Sequence, residues 1–213
     1  MQSSGLSLLD YTEIAGDMAG KLSSKETVFG IYSKSFADPV IKILHNSQTA
    51  YSLEMRYNIQ QLYQVDGTGN DYRWSAWYTY NDVAKDWKLD KLTDSYVLNN
   101  NEYSRPAGQI CGINMIRLSE MYLIAIESAP TQNEANALYI PYMKARNVDA
   151  SPLQQEQLMT EIIREYRREF FGEGQMFYTY KRLGIKNMLW KTDREVGEQD
   201  YVVPLPSTEL TAN

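Results

Sequence analysis

The chain has 213 residues, 21 Lys and Arg against 27 Asp and Glu, a formal net charge of −6, and 43% hydrophobic residues. That balance describes a folded globular chain. It argues against nucleic acid or an anionic lipid surface as the main partner, because both recruit basic patches. No run approaches the ~20 continuous apolar residues of a membrane span, and no basic stretch followed by an apolar one opens the chain as a secretory leader would.

In chain order, Leu8, Tyr11, Ile14, Met18 and Leu22 recur at three- and four-residue steps and predict a short helix. Glu26–Tyr32, rich in β-branched and aromatic side chains, reads as a strand stopped near Asp38-Pro39. Ser52–Val65 is ambiguous, with Met55, Ile59 and Leu62 at helical spacing. Asp66-Gly-Thr-Gly-Asn-Asp71 is a turn cluster. It begins like a calcium loop, but Trp77 stands where the twelfth-position Glu is needed, so Gly and Asn for positive φ explain it more simply. Tyr72–Pro106 is polar, aromatic and aperiodic and holds three of the 4 Trp residues. A long irregular segment of this kind is a functional loop unless it hides short strands.

From Ile113 the pattern turns helical. Ile113–Ser128 predicts a largely buried helix that is broken by Pro130. Thr131 and Glu134 form a capping box for a second helix ending near Asn147, and Pro141 inside it should kink it or end it early. Ser151-Pro152 opens a third helix carrying the stripe Leu158, Ile162, Tyr166, Phe170. A fourth, Gln175–Leu183, ends at Gly184, and prolines extend the tail beyond it. A helix, a short turn and a second helix of this length look like one tetratricopeptide-type hairpin.

The chemistry available is narrow. One Cys (Cys111) and one His (His45) exclude an internal disulfide and Cys/His zinc sites. A Ser-His-Asp triad would have to use His45, and no G-x-S-x-G elbow is present. By contrast, 17 Tyr and 4 Trp outnumber 5 Phe, and Tyr and Trp combine a flat ring with a polar handle. Such rings suit sugars, whose C–H faces stack while their hydroxyls seek donors. The expected ligand surface is therefore Trp74, Trp77, Tyr78, Tyr80 and Trp87, with Arg73 and Asn81 donating to hydroxyls. Large aromatics also serve as anchors, and each ring of this set taken singly reads more readily that way, so the pattern as a whole carries the expectation.

Carboxylates at Glu161, Glu165, Glu169 and Glu173 recur every four residues, with Arg164, Arg167 and Arg168 interleaved. Glycoside hydrolysis needs two carboxyls across a bond, one of them protonated, whereas adjacent arginines keep carboxyls ionised. The spacing predicts a partly buried ion network in which Arg167 or Arg168 pairs with Glu120, Glu169 or Glu173. No catalytic residue, cofactor or metal is expected.

Five ordered blocks then become recognisable: Arg117-Leu-Ser-Glu120-Met-Tyr122-Leu, Ala145-Arg146-Asn147, Glu165-Tyr-Arg167-Arg168-Glu169-Phe-Phe-Gly172-Glu173-Gly174, Lys181-Arg182-Leu-Gly184, and Val203-Pro204-Leu-Pro206-Ser-Thr-Glu209. They resemble the C-terminal half of the SusD/RagB family. Before Ile113 the match is looser: Glu26-Thr-Val-Phe-Gly-Ile, and Leu62-Tyr-Gln-Val with Asp71-Tyr-Arg73. Met176 and Thr179 stand where the family has Arg and Asp, which removes one i,i+3 pair from the fourth helix. The resemblance implies a cell-surface lipoprotein of the outer membrane of Bacteroidetes-type bacteria. Such a protein binds glycans, or sometimes peptides, over a TonB-dependent, SusC-like transporter. The family's ligand residues vary, so none carries over by motif. Its members also have a lipidated Cys and further repeat helices, and Cys111 has no lipobox before it.

The resulting expectation is a mainly α fold with tetratricopeptide-like helices and a β- and loop-rich N-terminal part. The aromatic ligand-binding part is 1–112 and the helical part 113–213. The expected function is non-catalytic glycan binding with delivery to the transporter. The alternative is a helical protein-interaction scaffold that binds no glycan. Without further repeat helices, the apolar face of Ile113–Ile126 should lack cover and favour self-association.

Overall fold

A computed structural model describes residues 5–10, 25–32, 59–63, 71–81, 86–89, 91, 97–99, 102–104, 112–188 and 194–204. It divides into two compact units, Met1–Glu169 and Phe170–Asn213. The division falls at 169/170 rather than at 112/113, because residues on both sides of 112 pair with one another in the first unit.

That unit begins with β1 (Thr27–Tyr32), α1 (Gln60–Tyr63) and α2 (Tyr72–Trp77). Two antiparallel pairs follow: β2 (Tyr78–Asn81) with β3 (Asp86–Leu89), and β4 (Val97–Asn99) with β5 (Glu102–Ser104). β6 (Gly112–Arg117) returns to pair antiparallel with β1, setting Tyr32 against Gly112 and Thr27 against Arg117, with register shifts between Thr27 and Gly30. The long-range closure is reinforced where Thr27 Oγ1 donates to Asn114 Oδ1 at 2.6 Å. Three helices complete the unit: α3 (Leu118–Glu127), α4 (Gln132–Ala145) and α5 (Gln155–Glu169). α3 packs on both α4 and α5, and α1 packs on α5. The architecture is mainly α, with small hairpins supplied by the N-terminal part.

Several boundaries differ from the sequence reading for physical reasons. Residues 8–10 are not helical, and residues 11–24 of the expected first helix, the 66–70 turn and His45 lie outside the described residues. The described residues of the Tyr72–Pro106 segment form a short helix and four strands rather than an irregular loop. Ile113–Arg117 is strand, because β1 offers a backbone ladder that outweighs its helical spacing. The third helix starts at Gln155, not Ser151.

α4 is capped by Thr131, whose Oγ1 accepts from Glu134 N at 3.3 Å, while the return bond from Thr131 N to the Glu134 carboxylate that a full capping box needs is not formed. It does not stop at Pro141 but runs on to Ala145. The proline removes one hydrogen bond, yet Tyr142 and Met143 just beyond it are fully buried, and that burial offsets the defect. The helix closes with Asn147 in the left-handed region, φ 58°, where Val148 N reaches back to Met143 O at 3.0 Å.

The second unit carries α6 (Met176–Leu183), closed by Gly184 at φ 60°, and a 3-10 turn (Glu198–Tyr201). Arg194 grips Asp200 bidentately at 2.6 and 2.7 Å, and Val196 N donates to Lys186 O at 2.8 Å. Among the described residues no helix is long and apolar enough to cross a membrane, and no His/Cys/Asp/Glu group could hold a metal ion.

Candidate functional site

Two constellations of the first unit contain the residues singled out between Arg73 and Trp87, Asn81 excepted. One is ionic and buried, and the other is aromatic and partly exposed.

The ionic one centres on Glu169, the last residue of α5 and 1% exposed. Its carboxylate accepts from Arg73 Nη1 at 3.1 Å, Arg117 Nε at 3.2 Å, Arg146 Nε at 3.3 Å and the Tyr142 hydroxyl at 3.2 Å. Its backbone oxygen accepts from Arg117 and from the Lys91 ammonium. Arg73, with no exposed surface, also donates to Glu165 at 2.9 Å and to Asp71 at 2.6 Å. Asp71 has a second task as N-cap of α2, accepting from Arg73 N at 3.0 Å. Arg146 reaches Glu26 at 2.9 Å and the Tyr72 hydroxyl at 2.6 Å. Arg168 closes the set on Glu161 at 2.6 Å, on Glu165, and on Leu62 O at 2.6 Å. Among the described residues, five carboxylates (Glu26, Asp71, Glu161, Glu165, Glu169) thus face five cations (Arg73, Lys91, Arg117, Arg146, Arg168), and these formal charges balance. Balance is what makes such burial tolerable, since a lone buried charge costs several kcal/mol.

The same charges fix protonation. Burial by itself would raise the Glu165 carboxyl, but Arg73 and Arg168 outweigh it and hold it below the ordinary range. For Glu169 burial is again opposed, by Arg146, Arg117, Arg73 and Lys91, and the carboxyl lies well below that range. A carboxyl held ionised has no proton to give a leaving group.

This corrects one expectation and refines another. Arg73 does not donate to a ligand: it is buried, and its guanidinium is committed to three carboxylates. Arg168 and Glu169 do belong to a buried network, but Arg168 pairs with Glu161 and Glu165 rather than with Glu120, Glu169 or Glu173. Arg167, Glu120 and Glu173 are half-buried. The sequence reading missed Glu26, Asp71, Lys91, Arg117 and Arg146 as network members. All but Lys91 stood in the quoted blocks, so the signal was there, attached to family likeness rather than to charge pairing.

The aromatic constellation follows from β2 and β3. Alternation puts Tyr78 and Tyr80 on one face of β2, opposite Leu89 and Trp87 of β3 in the register Tyr78–Leu89 and Tyr80–Trp87. Trp74 of α2 lies over this face, its ring centroid 4.8 Å from Tyr78 and 4.5 Å from Trp87, and Tyr80 meets Trp87 at 5.2 Å. The ladder is anchored inward by Tyr78, which is buried and shares a 3.1 Å hydrogen bond with the Tyr63 hydroxyl. Tyr63 in turn donates to Arg168 O at 3.0 Å.

Exposure sorts the expected site residues. Trp77 and Tyr78 are core, and the Lys91 ammonium sits 3.9 Å over the Trp77 ring. Trp74 and Trp87 are half-buried and Tyr80 is 42% exposed, so these three present ring surface to solvent. Asn81 ends β2 opposite Asp86, and its side chain lies outside the described set.

Comparison with known proteins bears on the fold just described. The SusD family model matches residues 34–213. Among solved structures, a laminarin-binding SusD-like protein matches with a TM-score of 0.55 at 18% identity, covering 84% of this chain and 46% of that one. The chain therefore spans about half the length of that protein, and at this identity the likeness is one of fold. Comparison with curated proteins gives no match. With a family model covering most of its length and a mainly helical fold that matches a SusD-like structure, the chain belongs to the SusD family.

Proposed function

We propose that the chain binds a glycan on the Trp74–Trp87–Tyr80 surface without cleaving it. The observation that carries this is the trio itself: three rings within 4.5 and 5.2 Å of their neighbours, partly exposed, and held from beneath by buried Tyr78. Rigid aromatic surface of this kind stacks sugar rings with little entropy to lose. Family membership and the laminarin-binding fold neighbour support a glycan as ligand. Binding without turnover is supported by the paired state of the acidic cluster, in which Glu165 and Glu169 stay ionised. In the same reading the protein works at the outer-membrane surface and passes its ligand to a TonB-dependent, SusC-like transporter, as family membership suggests.

The test is calorimetry with laminarin on wild type and on Trp74→Ala and Trp87→Ala. Each variant is expected to lose ~1–3 kcal/mol of binding, the range for one stacked aromatic contact. Folded variants that keep wild-type affinity would put the ligand elsewhere, and release of reducing sugar would end the binding-only reading.

One observation favours the scaffold alternative. The β1–β6 ribbon leaves Val28, Phe29, Ile31, Met115 and Ile116 between 39% and 54% exposed, an apolar surface suited to a protein partner. Substitutions there that abolish function while laminarin affinity stays intact would favour it.

A further inference from the structure

A pocket of about 460 Å³ opens between α4, the 149–153 connection and the face of α5 that carries Glu156, Thr160, Arg164 and Arg168. Its size lies within the ~300–1,000 Å³ of small-molecule sites. The connection is held in place from α4: Leu153 N donates to Asn136 Oδ1 at 2.9 Å, and its carbonyl accepts from Asn136 Nδ2 at 3.0 Å and Gln132 Nε2 at 2.8 Å. The cavity therefore needs little ordering when a ligand arrives.

Glu161 and Arg168 of its lining are paired with each other, and other groups around it are uncommitted. Tyr139 lines the pocket at 2% exposure, yet among the described residues its hydroxyl has no hydrogen-bond partner. Burial, and then the charges of Glu165 and Glu161, push that phenol up, so it is a proton donor at neutral pH. On the rim, Asp149 and Glu156 have neither ionic nor hydrogen-bond partners among the described residues. Arg164 makes one long contact, 3.4 Å to Glu161, and its side chain is 53% exposed, which leaves most of its N–H groups open. Pro152 and Leu153 supply apolar surface between them.

Acceptors, donors and a small apolar wall face the same space. Three lining carboxylates (Asp149, Glu156, Glu161) are nearly balanced by two guanidiniums (Arg164, Arg168). An ammonium ligand would meet the open Arg164, and an anion would meet Asp149 and Glu156. A neutral polyol suits both signs, because each hydroxyl donates to a carboxylate and accepts from a guanidinium or phenol. We propose that this pocket is a second carbohydrate site, which takes one neutral monosaccharide unit independently of the Trp74–Trp87–Tyr80 surface. It rests on the glycan-binding reading for its ligand class, and on the pocket for its location.

The test is an NMR titration of the full chain with glucose, galactose, mannose and glucosamine, and with laminarin in parallel. At least one neutral sugar is expected to bind saturably. Asp149→Asn and Glu156→Gln, both isosteric and at exposed positions, should each weaken it about tenfold, as the loss of a charge-assisted hydrogen bond does. Tyr139→Phe should weaken it less, and Trp74→Ala should leave it unchanged while lowering laminarin affinity. The proposal is overturned if no neutral sugar saturates, if only glucosamine binds, or if the Asp149→Asn/Glu156→Gln double variant titrates like wild type. Monosaccharide binding that persists where laminarin binding is absent would support the pocket and remove only the aromatic surface.

Discussion

Glu169 is the residue on which the first unit depends most, since three guanidiniums share its carboxylate. Glu169→Gln keeps the shape but leaves buried positive charge unmatched, and it should cost ~3–5 kcal/mol of unfolding free energy, measured by urea denaturation. Arg168→Ala should cost a similar amount, because it takes one guanidinium from both Glu161 and Glu165 and leaves Glu165 with Arg73 alone. Arg164→Ala should change stability by less than ~0.5 kcal/mol, because its pair with Glu161 is long and half-exposed. The pH dependence follows from the same carboxylates. Their folded pKa values are depressed, so the unfolded chain takes up protons near the ordinary 4.5 that the folded chain still refuses. Their contribution is complete above that point and is lost as pH falls below it. Denaturation midpoints taken from neutral pH down to about pH 3 should decline steeply at the acid end, and less steeply in Glu169→Gln.

At the scale of elements, α4 and the β2–β3 hairpin show where packing overrides local preference. Pro141 is exposed within α4 and deprives the helix of one bond, whereas everything that holds the helix lies on its buried side. Pro141→Ala should therefore stabilise the fold by about 1 kcal/mol, read as a rise in melting temperature. The C-terminal helices were legible because their periodicity, the Thr131 cap and Gly184 are local signals. The β6 strand was not, because Ile113, Ile116 and Leu123 fit a helix equally well and only pairing with Thr27–Tyr32, far away in the chain, selects the strand. The aromatic surface was half legible. Its Trp and Tyr clustering is plain in the sequence, but whether Trp77 or Trp74 faces solvent depends on the α2-to-β2 turn. Arg73 shows the limit: as part of Asp71-Tyr-Arg73 it looks like a polar loop residue, and only the fold puts it beneath α5.

For the whole molecule, the exposed ribbon of Val28, Phe29, Ile31, Met115 and Ile116 is the feature most apt to govern behaviour in solution. The chain made alone should self-associate in a concentration-dependent manner, visible by light scattering. Phe29→Lys/Ile116→Lys, which places charge on facing strands, should return it to a monomer without loss of laminarin affinity. A wild type that stays monomeric at high concentration would show that this surface is tolerated as it stands.

The placement of Glu169 at the end of the first unit has a consequence for synthesis on the ribosome. Its partners come from much earlier in translation: Arg73 precedes it by 96 residues, Arg117 by 52 and Arg146 by 23. Until α5 has left the exit tunnel, those arginines keep their hydration only if the preceding helices stay open, because closing them would bury Arg73 and Arg146 with Asp71 and Glu26 but without the Glu165 and Glu169 carboxylates. Nascent chains stalled before Glu165 should therefore remain sensitive to protease, and resistance should appear in one step once the end of α5 emerges.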